Sequence, residues 1–324
     1  MKAVVCRQWG EPESLVVDEV ASPVPGPGQV LIEVHAAGVN FPDTLIIQRK
    51  YQVQPELPFS PGGEVAGRVK AVGPGVSGWN VGDRVVGSAT FGGFAQEAVI
   101  AAERVVPMPE GMDYPEAAAF VLAYGTSLHA LKDRGRLAAG ETLLVLGAGG
   151  GVGIAAVEIG KALGARVIAA ASDDDKLGLC TAHGADATLN YATEDLRKRL
   201  KTLAPDGVDV IFDPIGGERS ETAFRCIAWE GRHLVVGFAA GEVPRLALNL
   251  PLLKGASVVG VYWGNFLRRD ADTTRAHMRE LFALHASGAV RPPVTRRYPL
   301  EEAGQALRDV MERRVKGKVV ILTR

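Results

Sequence analysis

The 324-residue chain is 47% hydrophobic and carries 36 lysines and arginines against 37 aspartates and glutamates. That length and apolar content suit two domains with separate cores, and the even charge balance leaves no electrostatic footprint for nucleic acid or an anionic membrane. The three cysteines, Cys6, Cys180 and Cys226, stand far apart with no CxxC pair, which argues against a disulfide framework or cysteine-rich zinc site and points to the cytoplasm.

The opening MKAVVCRQWGEPE is too short and too soon charged for a signal peptide, and Glu158 and Lys161 interrupt the best candidate for a membrane span. Residues 1–125 read as β-rich. Short strands are predicted at 2–7, 15–20, 29–37, 64–72, 83–87 and 94–100, with the apolar/polar alternation clearest over 29–37. Closely spaced strands with this much glycine and proline predict a compact, partly open β-barrel. Helical character begins over 114–131. Strand and helix then alternate, with strands at 142–147, 166–171, 187–190, 208–213, 232–238 and 257–263 and helices near 151–163, 174–183, 194–203 and 217–228. That alternation predicts an α/β fold, a doubly wound parallel six-stranded sheet of Rossmann type. Helices at 273–287 and 301–314 and strands at 294–298 and 318–323 complete the tail. It has too little apolar material to fold alone, so 264–324 is assigned with 1–125 to one discontinuous domain, and 126–263 to a dinucleotide-binding domain.

The stretch 141–176 carries the plainest chemistry. An apolar strand runs into Gly147-Ala-Gly-Gly-Gly-Val-Gly153, and Ile154, Val157, Ile159 and Leu163 follow at helical spacing. Backbone N–H groups at such a helix start favour an anion, and glycines let a pyrophosphate approach. Glycine turns also serve packing alone, but the whole βαβ unit has the dinucleotide length of about 30 residues. Gly147, Gly150, Gly151, Val152 and Gly153 are therefore the first cofactor-binding candidates. Where NAD-binding units place an acid on the ribose, this chain has Ala171 and then Ser172. Ser172, Lys176 and Tyr191 are candidates for a 2′-phosphate, which makes the cofactor NADPH. Asp173, Asp174 and Asp175 read either as N-cap residues of the next helix or as charges opposing that phosphate.

Five segments in order, Ala36-Ala-Gly-Val-Asn-Phe-Pro-Asp-Thr44, Pro61-Gly-Gly-Glu-Val-Ala-Gly67, Ala123-Tyr-Gly-Thr-Ser127, the glycine turn and Leu189-Asn-Tyr191, resemble the zinc-free quinone oxidoreductases of the medium-chain dehydrogenase/reductase superfamily. The resemblance covers essentially the whole chain. It implies a GroES-like barrel as catalytic domain and a cleft between barrel and sheet for nicotinamide and substrate. At the family's zinc-ligand places stand Asn40, Gly63 and Leu122, and the six histidines are scattered without an HxxxH pair, so no metal is expected. Without a Lewis acid, hydride transfer favours substrates that already accept electrons, such as quinones or alkenes conjugated to a carbonyl.

The resemblance also assigns residues. Asn40 faces the cavity as an amide for a substrate carbonyl, or else stabilises a turn; Asp43 caps a helix first and shapes the site second. Tyr51 holds the place of a cavity tyrosine and is the proton-donor candidate, while a second tyrosine place is Leu45, which makes the pocket more apolar. Thr126, Gly237, Phe238 and Asn249 fall on the cofactor side. Tyr124, Trp263 and Phe266 read as pocket wall or core, Asp213 as a turn organiser before a proton donor, and Lys318 as an exposed strand lysine before one that reaches the cofactor cleft from the tail. The implied activity is NADPH-dependent, metal-free reduction of quinones or similar small conjugated carbonyls by a homodimer joined along 257–263. Alternatives are an enoyl or 2-haloacrylate alkene reductase and a non-catalytic NADPH-binding protein.

Overall fold

The computed structural model describes all 324 residues. β1 (Lys2–Val5) and β2 (Val16–Glu19) pair antiparallel. β3 (Gln29–Gly38) buries Val30, Ile32 and Val34 at period two. There follow α1 (Phe41–Ile47), β4 (Glu64–Val72), β5 (Arg84–Ser88), β6 (Glu97–Ala101), β7 (Val105–Pro107) and α2 (Tyr114–Ala118). α3 (Val121–Leu128) runs into a π-helical turn, His129–Arg134. The alternating region is β8 (Thr142–Leu146), α4 (Gly151–Ala162), β9 (Arg166–Ala171), α5 (Asp174–Ala182), β10 (Ala187–Asn190), α6 (Leu196–Leu203), β11 (Val208–Asp213), α7 (Glu218–Phe224), β12 (Ile227–Val235), α8 (Asn249–Lys254) and β13 (Ser257–Gly260). The chain ends with α9 (Trp263–Arg269), α10 (Ala271–Ala286), β14 (Val294–Pro299), α11 (Ala303–Met311) and β15 (Lys318–Leu322).

One compact unit comprises Met1–Leu122 and Pro292–Arg324. Its sheet runs β14-β15-β3-β4-β5-β7, with β6 also on β3. β4 lies along the length of β3, whereas β6 takes its first half and β15 its last three residues. That sharing, with two register shifts between β3 and β4, curls the sheet towards a barrel. Leu300, Ala303, Leu307, Val319 and Ile321 join Ile32, Val65, Val85 and Phe94 in one core. The tail thus completes a core that the first 122 residues leave open.

The other unit, Ala123–Arg291, is built on a six-stranded sheet ordered β10-β9-β8-β11-β12-β13, every neighbouring pair parallel. Leu143, Leu144, Val145 and Leu146 are wholly buried, as a central strand covered on both faces requires. No helix is long and apolar enough to cross a membrane.

Several expected boundaries move. Residues 264–291 group with the Rossmann sheet, not with the barrel: Trp263, Met278 and Leu281 are buried, and Phe266 stacks on His129 at 4.0 Å and on His277 at 5.7 Å. The helix expected at 217–228 stops at Phe224, because Ile227 pairs with Val208 to start β12 and the chain then bulges through Glu230 at φ 59°. The last sheet strand ends at Gly260, and Trp263 opens α9 instead. The single helical stretch expected over 114–131 is α2, α3 and the π-helical turn.

Candidate active site

β8 delivers the chain into the glycine turn at the carboxyl end of the sheet. Gly147 has φ 60°, and a Cβ there would stand 3.0 Å from Ile215. A Cβ on Gly153 would meet the Gly147 carbonyl oxygen at 2.3 Å, so only glycine lets α4 start this close to the turn. Gly150 is the N-cap of α4 and supplies no side-chain cap. The first N–H groups of this twelve-residue helix therefore carry its dipole towards the turn without a capping oxygen. Gly151 and Val152 lie in that first turn. Ser127 Oγ donates to the Val152 carbonyl at 2.8 Å, which ties α3 to the turn beside half-buried Thr126. A glycine cradle under an uncapped helix start fits a dinucleotide pyrophosphate.

Next to the cradle, the Lys176 side chain covers Gly149, where a Cβ would lie 2.5 Å from Lys176 Cβ. Asp173 caps α5, accepting from Lys176 N at 2.9 Å. The same carboxylate meets Lys176 Nζ at 2.9 Å and accepts from Ser172 Oγ at 3.2 Å. Burial pushes its pKa up, but the bonds from Lys176 outweigh that and hold it below the usual carboxylate range. Tyr191 N donates to the Ala171 carbonyl at 3.0 Å, so Ser172, Lys176 and Tyr191 share one corner. The Arg219 guanidinium lies over the Tyr191 ring, 4.5 Å from its centroid.

The loops after β11 and β12 form the neighbouring wall. Asp213 Oδ1 accepts from Ile215 N at 2.9 Å and Gly216 N at 3.0 Å; Oδ2 accepts from Ser220 Oγ and faces His233 Nε2 at 3.1 Å. Asp213 organises the turn, as its sequence suggests. Gly237 N donates to the Asp213 carbonyl at 3.3 Å, and Phe238 lies against Gly216. Both sit just beyond β12 rather than within it. Asn249 is exposed at the start of α8. Tyr124 is core: it is wholly buried, and its hydroxyl donates to Glu158, which also faces His183 Nδ1 at 2.6 Å. Trp263 packs on Gly125, where a Cβ would be 2.5 Å from the indole.

In the barrel unit, Asn40 begins α1 and is buried. Its backbone N–H donates to Asp43 at 2.8 Å, so Asp43 ties down the helix start as expected. Its side-chain amide donates to Glu64 Oε1 at 2.8 Å and accepts from Lys318 Nζ at 2.6 Å. Lys318 also donates to Glu64 at 2.7 Å, and Glu64 Oε2 accepts from Leu122 N at 2.8 Å. Lys318, read from the sequence as an exposed strand lysine, is 2% exposed, and its partner Glu64 is 0% exposed. The correction has a simple cause: β15 lies beside β3, which brings Lys318 over the loop from β3 to α1. Burial pushes the Asp43 carboxyl up to about 7, with its bond from Asn40 opposing and the Glu64 charge adding to the rise. A Cβ on Gly63 would meet Leu122 at 3.6 Å and Asp43 at 3.7 Å. Asn40, Gly63 and Leu122 therefore gather around one buried charge system. Tyr51, beyond the end of α1, packs half-buried against the barrel core.

Residues 26–110 match the alcohol dehydrogenase GroES-like domain family and residues 151–283 the zinc-binding dehydrogenase family. The chain is 36% identical over 327 residues to quinone oxidoreductase-like protein 2 homolog of Nematostella vectensis, covering 100% of this chain and 89% of that one. It is 35% identical over 326 residues to quinone oxidoreductase of Rattus norvegicus, covering 99% and 98%. The chain belongs to the quinone oxidoreductase-like family of the medium-chain dehydrogenase/reductase superfamily. Among solved members of this family, Escherichia coli quinone oxidoreductase complexed with NADPH superposes with TM-score 0.94 at 29% identity, covering 100% of both chains.

One matched family model is described as zinc-binding, yet this family member's residues do not fit a zinc ion. Its three places hold an amide already bonded on both sides, a glycine and a leucine, with the Lys318 ammonium among them. No group of three or more His, Cys, Asp or Glu side chains is placed to hold a metal. From the sequence Lys318 reads as exposed and Arg219 carries no mark at all. Neither leaves a local signal, because each partner, Glu64 or Tyr191, lies far away in the chain.

Proposed function

We propose that this chain is an NADPH-dependent reductase of quinones and similar electron-poor conjugated carbonyls, working without a metal. The observation that carries this reading is the glycine cradle at the uncapped start of α4, in a chain alike over its whole length to a quinone oxidoreductase complexed with NADPH. Gly147, Gly150, Gly151, Val152 and Gly153 hold the pyrophosphate through backbone N–H groups. Ser172, Lys176 and Tyr191 take the adenosine end, and Thr126, Gly237 and Phe238 the remainder. When bound, NADPH supplies the hydride. The protein's own part is to orient the substrate and deliver one proton, so that a quinone gaining hydride and proton leaves as a hydroquinone. Asn40 and Tyr51 are the barrel residues proposed for this task, Asn40 as an amide locked in one orientation by Glu64 and Lys318, Tyr51 as proton donor. Lys318 supports the metal-free reading, since a buried ammonium occupies the surroundings of the zinc-ligand places.

We place the enzyme in the cytoplasm, in keeping with three free, buried cysteines. It acts as a homodimer through β13, an edge strand whose Val258 is 50% exposed. The test is NADPH oxidation with 1,4-benzoquinone and 1,2-naphthoquinone beside a simple enone and a 2-haloacrylate. Turnover on the quinones is expected; turnover confined to the alkenes would move the assignment to an alkene reductase, and none at all would contradict a catalytic role.

A further inference from the structure

The corner beside the glycine cradle has an unresolved charge balance. Lys176 is its only sequence-legible cation, and Lys176 Nζ already meets Asp173 at 2.9 Å. Ser172 Oγ donates to the same carboxylate. Asp174 stands next to it, accepting from Asn190 Nδ2 at 2.7 Å, and Asp175 follows in the chain. A dianionic phosphate arriving here meets one lysine already paired with Asp173, with the Asp174 carboxylate beside it, which is an unfavourable site by Coulomb's law alone.

Arg219 changes that balance. It sits at the start of α7, after β11, while Tyr191 sits after β10; both follow carboxyl ends of strands in the same parallel sheet. Tyr191 is anchored to Ala171 through its backbone N–H. The guanidinium lies over the Tyr191 ring at 4.5 Å. Contacts therefore run without a break from the glycine cradle through Lys176, Asp173, Ser172, Ala171 and Tyr191 to Arg219. A guanidinium stacked on an aromatic face keeps its N–H donors in its own plane, where they can take a phosphate in a two-point bond. Arg219 is half-buried, which raises the value of such a bond over one in open water.

We propose that Arg219, held on the ring of Tyr191, is the cation that receives the 2′-phosphate of NADPH and sets the preference for NADPH over NADH. This rests on the NADPH reading above and adds to it the residue that decides phosphate recognition.

The test is equilibrium binding, read by calorimetry, of NADPH, NADH, 2′,5′-ADP and 5′-AMP to the full chain and to Arg219→Gln and Arg219→Lys. A charged hydrogen bond of the usual strength predicts that Arg219→Gln weakens NADPH and 2′,5′-ADP at least about 10-fold. NADH and 5′-AMP should change less than about 2-fold. Arg219→Lys, which keeps the charge and loses the planar fork, should fall between. Equal weakening of phosphorylated and unphosphorylated ligands would overturn the proposal in favour of simple adenine stacking. Unchanged NADPH affinity in both variants would also overturn it. If the unsubstituted chain binds no NADPH, the underlying NADPH reading fails and takes this inference with it; NADPH binding that survives substitution sinks the inference alone. Thermal unfolding of each variant separates loss of fold from loss of binding.

Discussion

Four side chains at the head of α1 act as one charge system. Lys318 and Glu64 are both buried and bonded to each other and to the Asn40 amide. Removing one charge leaves the other in a low-dielectric core, whereas removing both leaves neither exposed to that cost. Lys318→Met should therefore destabilise the chain by about 3–5 kcal/mol. The pair Lys318→Met with Glu64→Gln should cost less than the lysine change alone. Urea unfolding of the single and double variants checks this, and a double variant as unstable as the two singles summed would contradict it. Asp43 adds a pH signature. Its carboxyl is raised to about 7 in the fold from an ordinary value of 3.8. Between those values the folded state holds a proton that the unfolded state releases. Stability from Asp43 is thus fully present below about pH 4, falls as pH rises towards 7, and is level above it, a change of up to about 4 kcal/mol. Asp43→Asn keeps an acceptor for the Asn40 N–H and removes the titration. Its stability relative to the unsubstituted chain should rise from pH 4 to pH 7; a flat difference across that window would refute the assignment. This charge system was only half legible in the sequence. Asn40 and Asp43 announce themselves by a helix-start pattern, but a lysine in a strand reads as exposed, and its partner 254 positions away leaves no periodic trace.

At the scale of elements, the parallel sheet was the most legible part of the chain. β8 after Thr142 and β9 after Arg166 are short unbroken apolar runs, the composition a strand covered on both faces favours. Every expected strand of the sheet has its counterpart, and 166–171, 187–190 and 208–213 coincide with β9, β10 and β11. Errors fall where local pattern and pairing compete. The residues after Phe224 keep a helical pattern, but pairing of Ile227 with Val208 draws them into β12. The amphipathic α10 reads correctly as a helix, yet nothing in its own residues tells which core its apolar face will join. The glycine turn and the helix start behind it were legible in the sequence, and the proposed pyrophosphate seat gives a sharp prediction. Gly153→Ala puts a methyl 2.3 Å from the Gly147 carbonyl oxygen, so the turn must open. NADPH affinity should fall at least about 10-fold, with overpacking costing roughly 1–3 kcal/mol of stability. Calorimetric titration with thermal unfolding reads both; an alanine variant binding as before would show that the turn is not the pyrophosphate seat.

At the scale of the whole molecule, two features follow from where apolar surface ends up. The tail closes the barrel core, so deleting Pro292–Arg324 should leave the first unit unable to fold. The sheet of the other unit ends in β13, where Val258 and the nearby Tyr262 remain 50% and 45% exposed. Light scattering should give a mass twice the 34.2 kDa of one chain, and Val258→Asp should shift it towards the monomer. A monomer in the unsubstituted protein at micromolar concentration would remove the dimer. We propose that this fold reduces conjugated carbonyls with NADPH, with a buried lysine, glutamate and asparagine standing around the zinc-ligand places. The most direct measurement is the rate of NADPH oxidation with 1,4-benzoquinone by protein treated with a strong chelator, its metal content quantified on the same sample. An undiminished rate at negligible zinc is the predicted result. A rate that vanishes with the metal and returns on adding zinc would contradict the account.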